Sequence, residues 1–146
     1  MGTCCTTSNI LKSTDAKWFN LDGYSGECFV EDVYDGDTVT IRLIFCKQVF
    51  KTRCRLLGID CAEIRTKNAE EKQHGLLAKK YLQDLILGKI IWIRIGKDDK
   101  YGRPLGTLYI TKSDFNKNIN SVNNNMVVKG WAKVYDGKKK IPFTFS

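Results

Sequence analysis

From Cys28 to Ile59 the chain reads as three strands in immediate succession, and that run narrows the folds open to it. The first strand covers Cys28 to Tyr34 and gives way to Asp35-Gly36, a tight-turn signal because glycine accepts positive φ. The second runs from Asp37 to about Phe45. Within it Val39, Ile41 and Leu43 alternate with Thr38, Thr40 and Arg42, so one face is apolar and the other wet. After a turn near Cys46-Lys47 the third strand runs from Val49 to about Ile59. Its first half alternates, but Leu56 to Ile59 is apolar on both parities, which implies cover on both sides, as in a small closed barrel.

A polar loop from Ile64 to about Ala69 then leads into a helix ending near Leu87. Leu77, Tyr81 and Leu85 fall at i, i+4 and i+8 with Leu82 and Ile86 beside them, and Gly88 follows as a C-cap. Ile90 to Ile95 reads as a buried strand, Gly102 and Pro104 as a turn, and Leu105 to Thr111 as another strand. Ser113 to Asn118 reads as a loop. A weaker helix is expected over about Ile119 to Lys129, with Val122, Met126 and Val127 inward and Gly130 as its stop, before a short closing segment at Trp131 to Tyr135. Five strands with a helix between the third and fourth is the plan of an OB-type barrel. The expected class is α+β: a five-stranded Greek-key barrel of OB-fold type with two to three packed α-helices. A chain of 146 residues makes one domain. Residues 1–24 read as a flexible lead-in, 25–137 as the folded domain, and 138–146 as a basic tail carrying Lys138-Lys139-Lys140.

Charge narrows the partners. A net +8 attracts polyanions such as nucleic acid or an anionic leaflet. Against that background Glu31, Asp32, Asp35 and Asp37 crowd one short region, and crowded carboxylates repel unless a cation or arginines neutralise them. Six cysteines include no CxxC pair, which argues against zinc and for reduced, structural thiols. No run approaches the roughly eighteen apolar residues of a membrane span, and no apolar leader indicates secretion. Met1-Gly2-Thr3-Cys4-Cys5-Thr6 fits the myristoylation pattern at Gly2, with Cys4 and Cys5 placed to take palmitate. Two acyl chains hold a membrane stably where one holds it marginally. The expectation is an intracellular protein, membrane-associated through these groups where the host is a eukaryote or the chain belongs to a virus of one, with a monomer assumed.

The chemistry is carried by three segments. They are Asp35-Gly36-Asp37-Thr38, Arg55-Leu56-Leu57-Gly58-Ile59-Asp60-Cys61-Ala62-Glu63, and Asp99-Lys100-Tyr101-Gly102-Arg103. Carboxylates suit a hard divalent cation. Arginines suit a phosphate, because the planar guanidinium matches two of its oxygens at once. Taken singly, Asp35-Gly36-Asp37 is a hairpin turn and Arg103 a solvated turn charge. Arg55, however, adjoins Leu56 and Leu57 in a strand expected to be buried, where an unpaired arginine is costly. Together the set reads as metal-assisted cleavage of a phosphodiester. His74 reads as a helix-surface residue, and Trp92 and Trp131 as core.

With Val122-Asn123 and Gly130-Trp131-Ala132-Lys133-Val134 behind them, these motifs resemble the thermonuclease family, the staphylococcal-nuclease-like phosphodiesterases, over roughly residues 25 to 135. The resemblance implies a calcium-dependent nuclease acting on DNA and RNA with little sequence preference and leaving 3′-phosphate ends. It implies Asp37, Asp60 and the backbone carbonyl of Cys61 as Ca2+ ligands. Asp35 would order metal-bound water, and Glu63 would do the same and act as general base. Arg55 and Arg103 would hold the scissile phosphate, with Lys100 and Tyr101 on a neighbouring one and Tyr135 nearest the family's substrate-stacking tyrosine. Ala62 stands where the family often has proline, and the tail leaves little room for a C-terminal helix. The competing readings are a module of the same fold that binds nucleic acid or protein without cleaving it, and a membrane-docked adaptor.

Overall fold

A computed structural model of the chain describes residues 7–145. β1 (Ser25–Asp35) and β2 (Thr38–Phe45) pair antiparallel, and β2 pairs in turn with β3 (Gln48–Leu56). Cys46 and Lys47 link β2 to β3 with φ of 51° and 64°. Two positive φ values in a two-residue loop give the turn whose twist matches that of the strands. As the alternation requires, Val39, Ile41 and Leu43 are buried. β5 (Ile90–Asp98) pairs antiparallel with β1 and with β6 (Pro104–Tyr109), and β6 meets β3 in parallel. The strand order β1-β2-β3-β6-β5 closes on itself as a mixed five-stranded barrel of OB type. The parallel seam holds two register pairs, Arg55↔Leu105 and Leu56↔Gly106. Gly106 is needed there, since a Cβ would stand 2.5 Å from Cys54 Sγ.

The third strand stops at Leu56 and not at Ile59. Gly58, at φ +79°, turns the chain; Leu57 is left 47% exposed; and Ile59–Cys61 becomes a separate strand, β4. The apolar run therefore spans a strand end, a turn and a new strand. β4 pairs antiparallel with β7 (Ala132–Val134), placing Asp60 opposite Lys133.

Among the described residues, four helices accompany the strands. α1 (Thr7–Leu11) buries nothing. α2 (Ala69–Ile86) is capped by Asn68, whose side chain accepts from the N–H groups of Glu70 and Glu71. Its buried stripe is Gly75, Ala78, Leu82 and Ile86, while Leu77, expected inward, is 47% exposed. Leu82 and Ile86, removed from water, contribute about 1.5–3 kcal/mol each. Most of the expected loop from Ser113 to Asn118 is instead α3 (Lys112–Lys117), because Thr111 caps its start and Asn118 takes the left-handed conformation at its end. α4 (Val122–Val128) begins at the Ser121 cap, later than the pattern suggested, and buries Val122 and Met126. Trp92 and Trp131 are partly buried, the first against Phe115 and the second against the core cluster. His74 is not simply a surface residue: its ring lies 5.3–5.4 Å from those of Trp131, Phe143 and Phe145, and its Nδ1 is buried without a hydrogen-bond partner among the described residues. Among the described residues no helix is long and apolar enough to cross a membrane.

Candidate active site

Asp37 lies in the turn just before β2 and is 4% exposed. Its Oδ2 accepts the Cys61 N–H at 2.9 Å, and its Oδ1 accepts from Thr38 Oγ1 at 3.0 Å and from Arg55 Nη1 at 2.9 Å. Gly36 makes this approach of β4 feasible. A Cβ there would meet Cys61 Sγ at 2.7 Å and Ala78 Cβ at 3.0 Å, and its φ is not positive. The glycine of the Asp-Gly-Asp turn thus serves close packing, not the left-handed geometry its sequence suggests.

Asp60, 6% exposed, sits in β4. Its Oδ1 accepts from Arg55 Nη2 at 3.2 Å, and the same nitrogen donates to the Ile59 carbonyl at 3.1 Å. Arg55 therefore bridges the two buried aspartates. Burial lowers the Arg55 pKa, but Asp37 and Asp60 outweigh it and leave it above the ordinary value. Asp35 accepts the Asp37 N–H at 3.1 Å. Burial, followed by the neighbouring Asp37 charge, pushes its pKa up to about 7. Burial and the surrounding carboxylates push the Cys61 thiol well up, so it is no nucleophile here.

Glu63 stands at the edge with its side chain 58% exposed. Its N–H donates to Glu71 Oε1 of α2 at 3.4 Å. The turn at Ala62 is pressed against that helix at Gly75, where a Cβ would meet the Ala62 carbonyl at 2.7 Å. Arg103 is held by Asp99, with Nε at 2.8 Å and Nη2 at 2.7 Å from Asp99 Oδ2. Asp99 Oδ1 also accepts the N–H groups of Tyr101 and Arg103, so one carboxylate shapes the whole turn. The Arg103 guanidinium lies 5.5 Å from the centre of the Tyr101 ring, and Lys100 Nζ lies 5.2 Å from it. Tyr135 covers Arg55 at 5.6 Å.

Arg55, Lys100, Tyr101, Arg103, Tyr135 and Lys140 line one cavity of about 540 Å³. The structure thus gathers every expected phosphate-binding side chain on one cleft and ties Asp37 to Asp60 through Arg55. Asp35 is turned onto Asp37, and Glu63 lies outside the cleft lining. Gly2, Cys4 and Cys5 lie outside the described residues.

One contact escaped the motifs, and one motif residue has its role shown here. Lys140 reaches back from the tail to Asp60 Oδ1 at 3.3 Å and Glu63 Oε1 at 3.1 Å. Burial lowers its pKa, but the hydrogen bond to Glu63 and the two carboxylate charges raise it further, so it stays charged. Asn123, buried in α4, donates to the Leu57 and Gly106 carbonyls at 2.8 and 3.0 Å and accepts the Leu108 N–H at 3.1 Å. It ties the β3–β4 turn to β6. The Val122-Asn123 motif marked this residue without saying what it holds.

The donor set is oxygen-only, and Asp35, Asp37, Asp60 and Glu63 bring four carboxylates against the cations of Arg55 and Lys140. Those residues fit a hard divalent cation. Among the described residues no three His, Cys, Asp or Glu side chains form a ready cage, so water and substrate would complete the shell.

Comparison with known proteins agrees with this geometry. Residues 53–144 match the family described as "Staphylococcal nuclease homologue". A "Probable endonuclease LCL3" of Yarrowia lipolytica is 28% identical over 89 residues, covering 61% of this chain and 38% of that protein. A protein of the same description from Colletotrichum graminicola is 30% identical over 87 residues, covering 60% of this chain and 31% of its own length. The chain thus matches well under half of either relative. The barrel, the clustered aspartates, the arginine-lined cleft and a match over most of the chain together make this protein a member of the staphylococcal nuclease homologue family.

Proposed function

We propose that the chain is a calcium-dependent nuclease that hydrolyses phosphodiesters of DNA and RNA with little sequence preference and leaves 3′-phosphate ends. The observation that carries this reading is the opening of Arg55 and Arg103 onto one cleft beside the paired Asp37 and Asp60. Asp37, Asp60 and the Cys61 carbonyl would hold the cation, and calcium suits so few charged ligands because it tolerates a loose, water-rich shell. When bound, it supplies charge neutralisation and acidifies a water.

The remaining steps belong to the protein. Arg55 and Arg103 bind non-bridging phosphate oxygens and favour the transition state, where charge on those oxygens is greatest. Asp99 fixes the Arg103 fork before substrate arrives, so little reorganisation is needed. Asp35 orders the water, and the exposed Glu63 carboxylate takes its proton. Lys100 and Tyr101 bind a flanking phosphate, and Tyr135 stacks on the substrate. A digest of plasmid and single-stranded DNA, with calcium and with chelator, tests the reading. Arg103→Ala and Glu63→Gln should each lower kcat about 10²–10³-fold. DNA left intact by the unmodified protein with saturating calcium would refute it.

One observation favours the alternative, a binding module without catalysis: Arg55, Arg103 and Lys140 all have carboxylate partners within the chain. Binding of DNA without cleavage in the same digest would select it. For location, the acylation pattern at Gly2, Cys4 and Cys5 supports a reading of membrane attachment. Gly2→Ala should move the protein from the membrane to the soluble fraction of cells, and an unchanged distribution would end that reading.

A further inference from the structure

Residues 135–145 fold back over the acidic edge of the candidate site. The Tyr135 N–H donates to the Gly58 carbonyl at 2.8 Å, and the Lys138 N–H donates to Asp136 Oδ1 at 2.9 Å. Farther on, Phe143 and Phe145 stack with ring planes 10° apart, and both meet His74 of α2. Lys133 Nζ donates to the Pro142 carbonyl and lies 4.8 Å from the centre of the Phe143 ring. Lys140 sits between these two moorings. Of the three consecutive lysines, it is the one that meets Asp60 and Glu63, while also lining the cleft. A tail that merely solvates its charges has no use for two aromatic anchors on a distant helix.

We propose that Lys140 is an internal competitor for the cation: its ammonium and a divalent metal are alternative occupants of the Asp60–Glu63 edge, and the tail leaves that edge when the metal arrives. The reasoning is electrostatic. Two cations within a few ångströms of one carboxylate repel each other, and Asp60 is buried enough that water screens little of that repulsion. A lysine suits the task because it is a compact charge on a flexible stem, able to swing away without unfolding anything else. The anchored segment keeps it nearby, so that it returns when the metal leaves. The proposal rests on the cation-dependent reading of the site and deepens it by naming what holds the site shut.

The test is calcium titration of the full chain by calorimetry without nucleic acid, paired with hydrogen exchange of residues 138–145. Lys140→Gln should bind calcium about three- to tenfold more tightly than the unmodified protein, and Lys140→Arg about equally. Phe143→Ser, which leaves Lys140 in place but loosens its mooring, should shift affinity in the same direction as Lys140→Gln. Calcium should speed exchange at residues 138–141, while the anchor residues Phe143 and Phe145 keep theirs. Unchanged affinity in both Lys140→Gln and Phe143→Ser, or tail exchange indifferent to calcium, would overturn the proposal. Calcium binding by none of the variants would overturn it together with the cation requirement. Tighter binding by Lys140→Gln in a protein that never cleaves DNA would uphold the competitor and refute the nuclease.

Discussion

A missing methyl group decides where Asp37 points. Gly36 lies against Cys61 and Ala78, and the Cys61 N–H is the donor that fixes Asp37. Gly36→Ala should therefore push β4 away from the turn, costing about 1–3 kcal/mol of stability in urea unfolding and weakening calcium affinity as well. Unaltered stability and affinity would show that the neighbours give way freely. The sequence marked Gly36 as special for the wrong reason. Turn statistics are local, whereas the contact that requires glycine comes from a strand and a helix far along the chain. Asp37, Arg55 and Asp60 could be grouped because crowded carboxylates need a cation or an arginine beside them, and Arg55 adjoins Leu56 and Leu57 where an unpaired charge is costly. Lys140 could not, because in a run of lysines nothing local distinguishes one from the next.

At the level of elements, the turn from β5 into β6 is built around one carboxylate. Burial opposes ionisation of Asp99, but the N–H groups of Arg103 and Tyr101 and the Arg103 guanidinium outweigh it and lower its pKa. A carboxyl with a lower pKa in the folded state binds fewer protons there than in the unfolded chain. Its contribution is therefore complete above the ordinary value near pH 4 and fades as pH falls through the lower folded value. Asp99→Asn should be less stable than the unmodified protein by about 1–2 kcal/mol at pH 7, with the gap closing below about pH 4. A gap of equal size at pH 7 and pH 3 would assign the loss to geometry alone. Strand β2 was readable from its alternation, since a two-residue period has one structural meaning. The end of β3 was not, because Leu57 and Ile59 are equally apolar while one faces solvent and the other the core. α3 was missed because its six residues carry little periodicity, and its capping side chain lies outside the segment.

Across the whole molecule, the basic balance and the lysine- and arginine-lined cleft act on any polyanion together. Affinity for single-stranded DNA, measured with chelator to block cleavage, should fall steeply with salt, at about 0.7 in the logarithmic slope for each phosphate neutralised. Lys100→Ala, at an exposed cleft position, should flatten that slope by about 0.7 without changing stability. An identical slope would remove Lys100 from the phosphate contacts. The barrel as a whole was legible because its apolar positions fill one core. The docking of Phe143 and Phe145 on His74 was not, since two aromatics in a polar tail name no partner. The pairing of Asp60 with Lys133 ties early and late parts of the chain into one device. A polypeptide still emerging from the ribosome holds Asp37, Arg55 and Asp60 long before Ala132–Val134 is made. Under the nuclease reading, a chain cut short before β7 keeps all three of these side chains but loses the strand that pairs with Asp60, and should therefore be inactive.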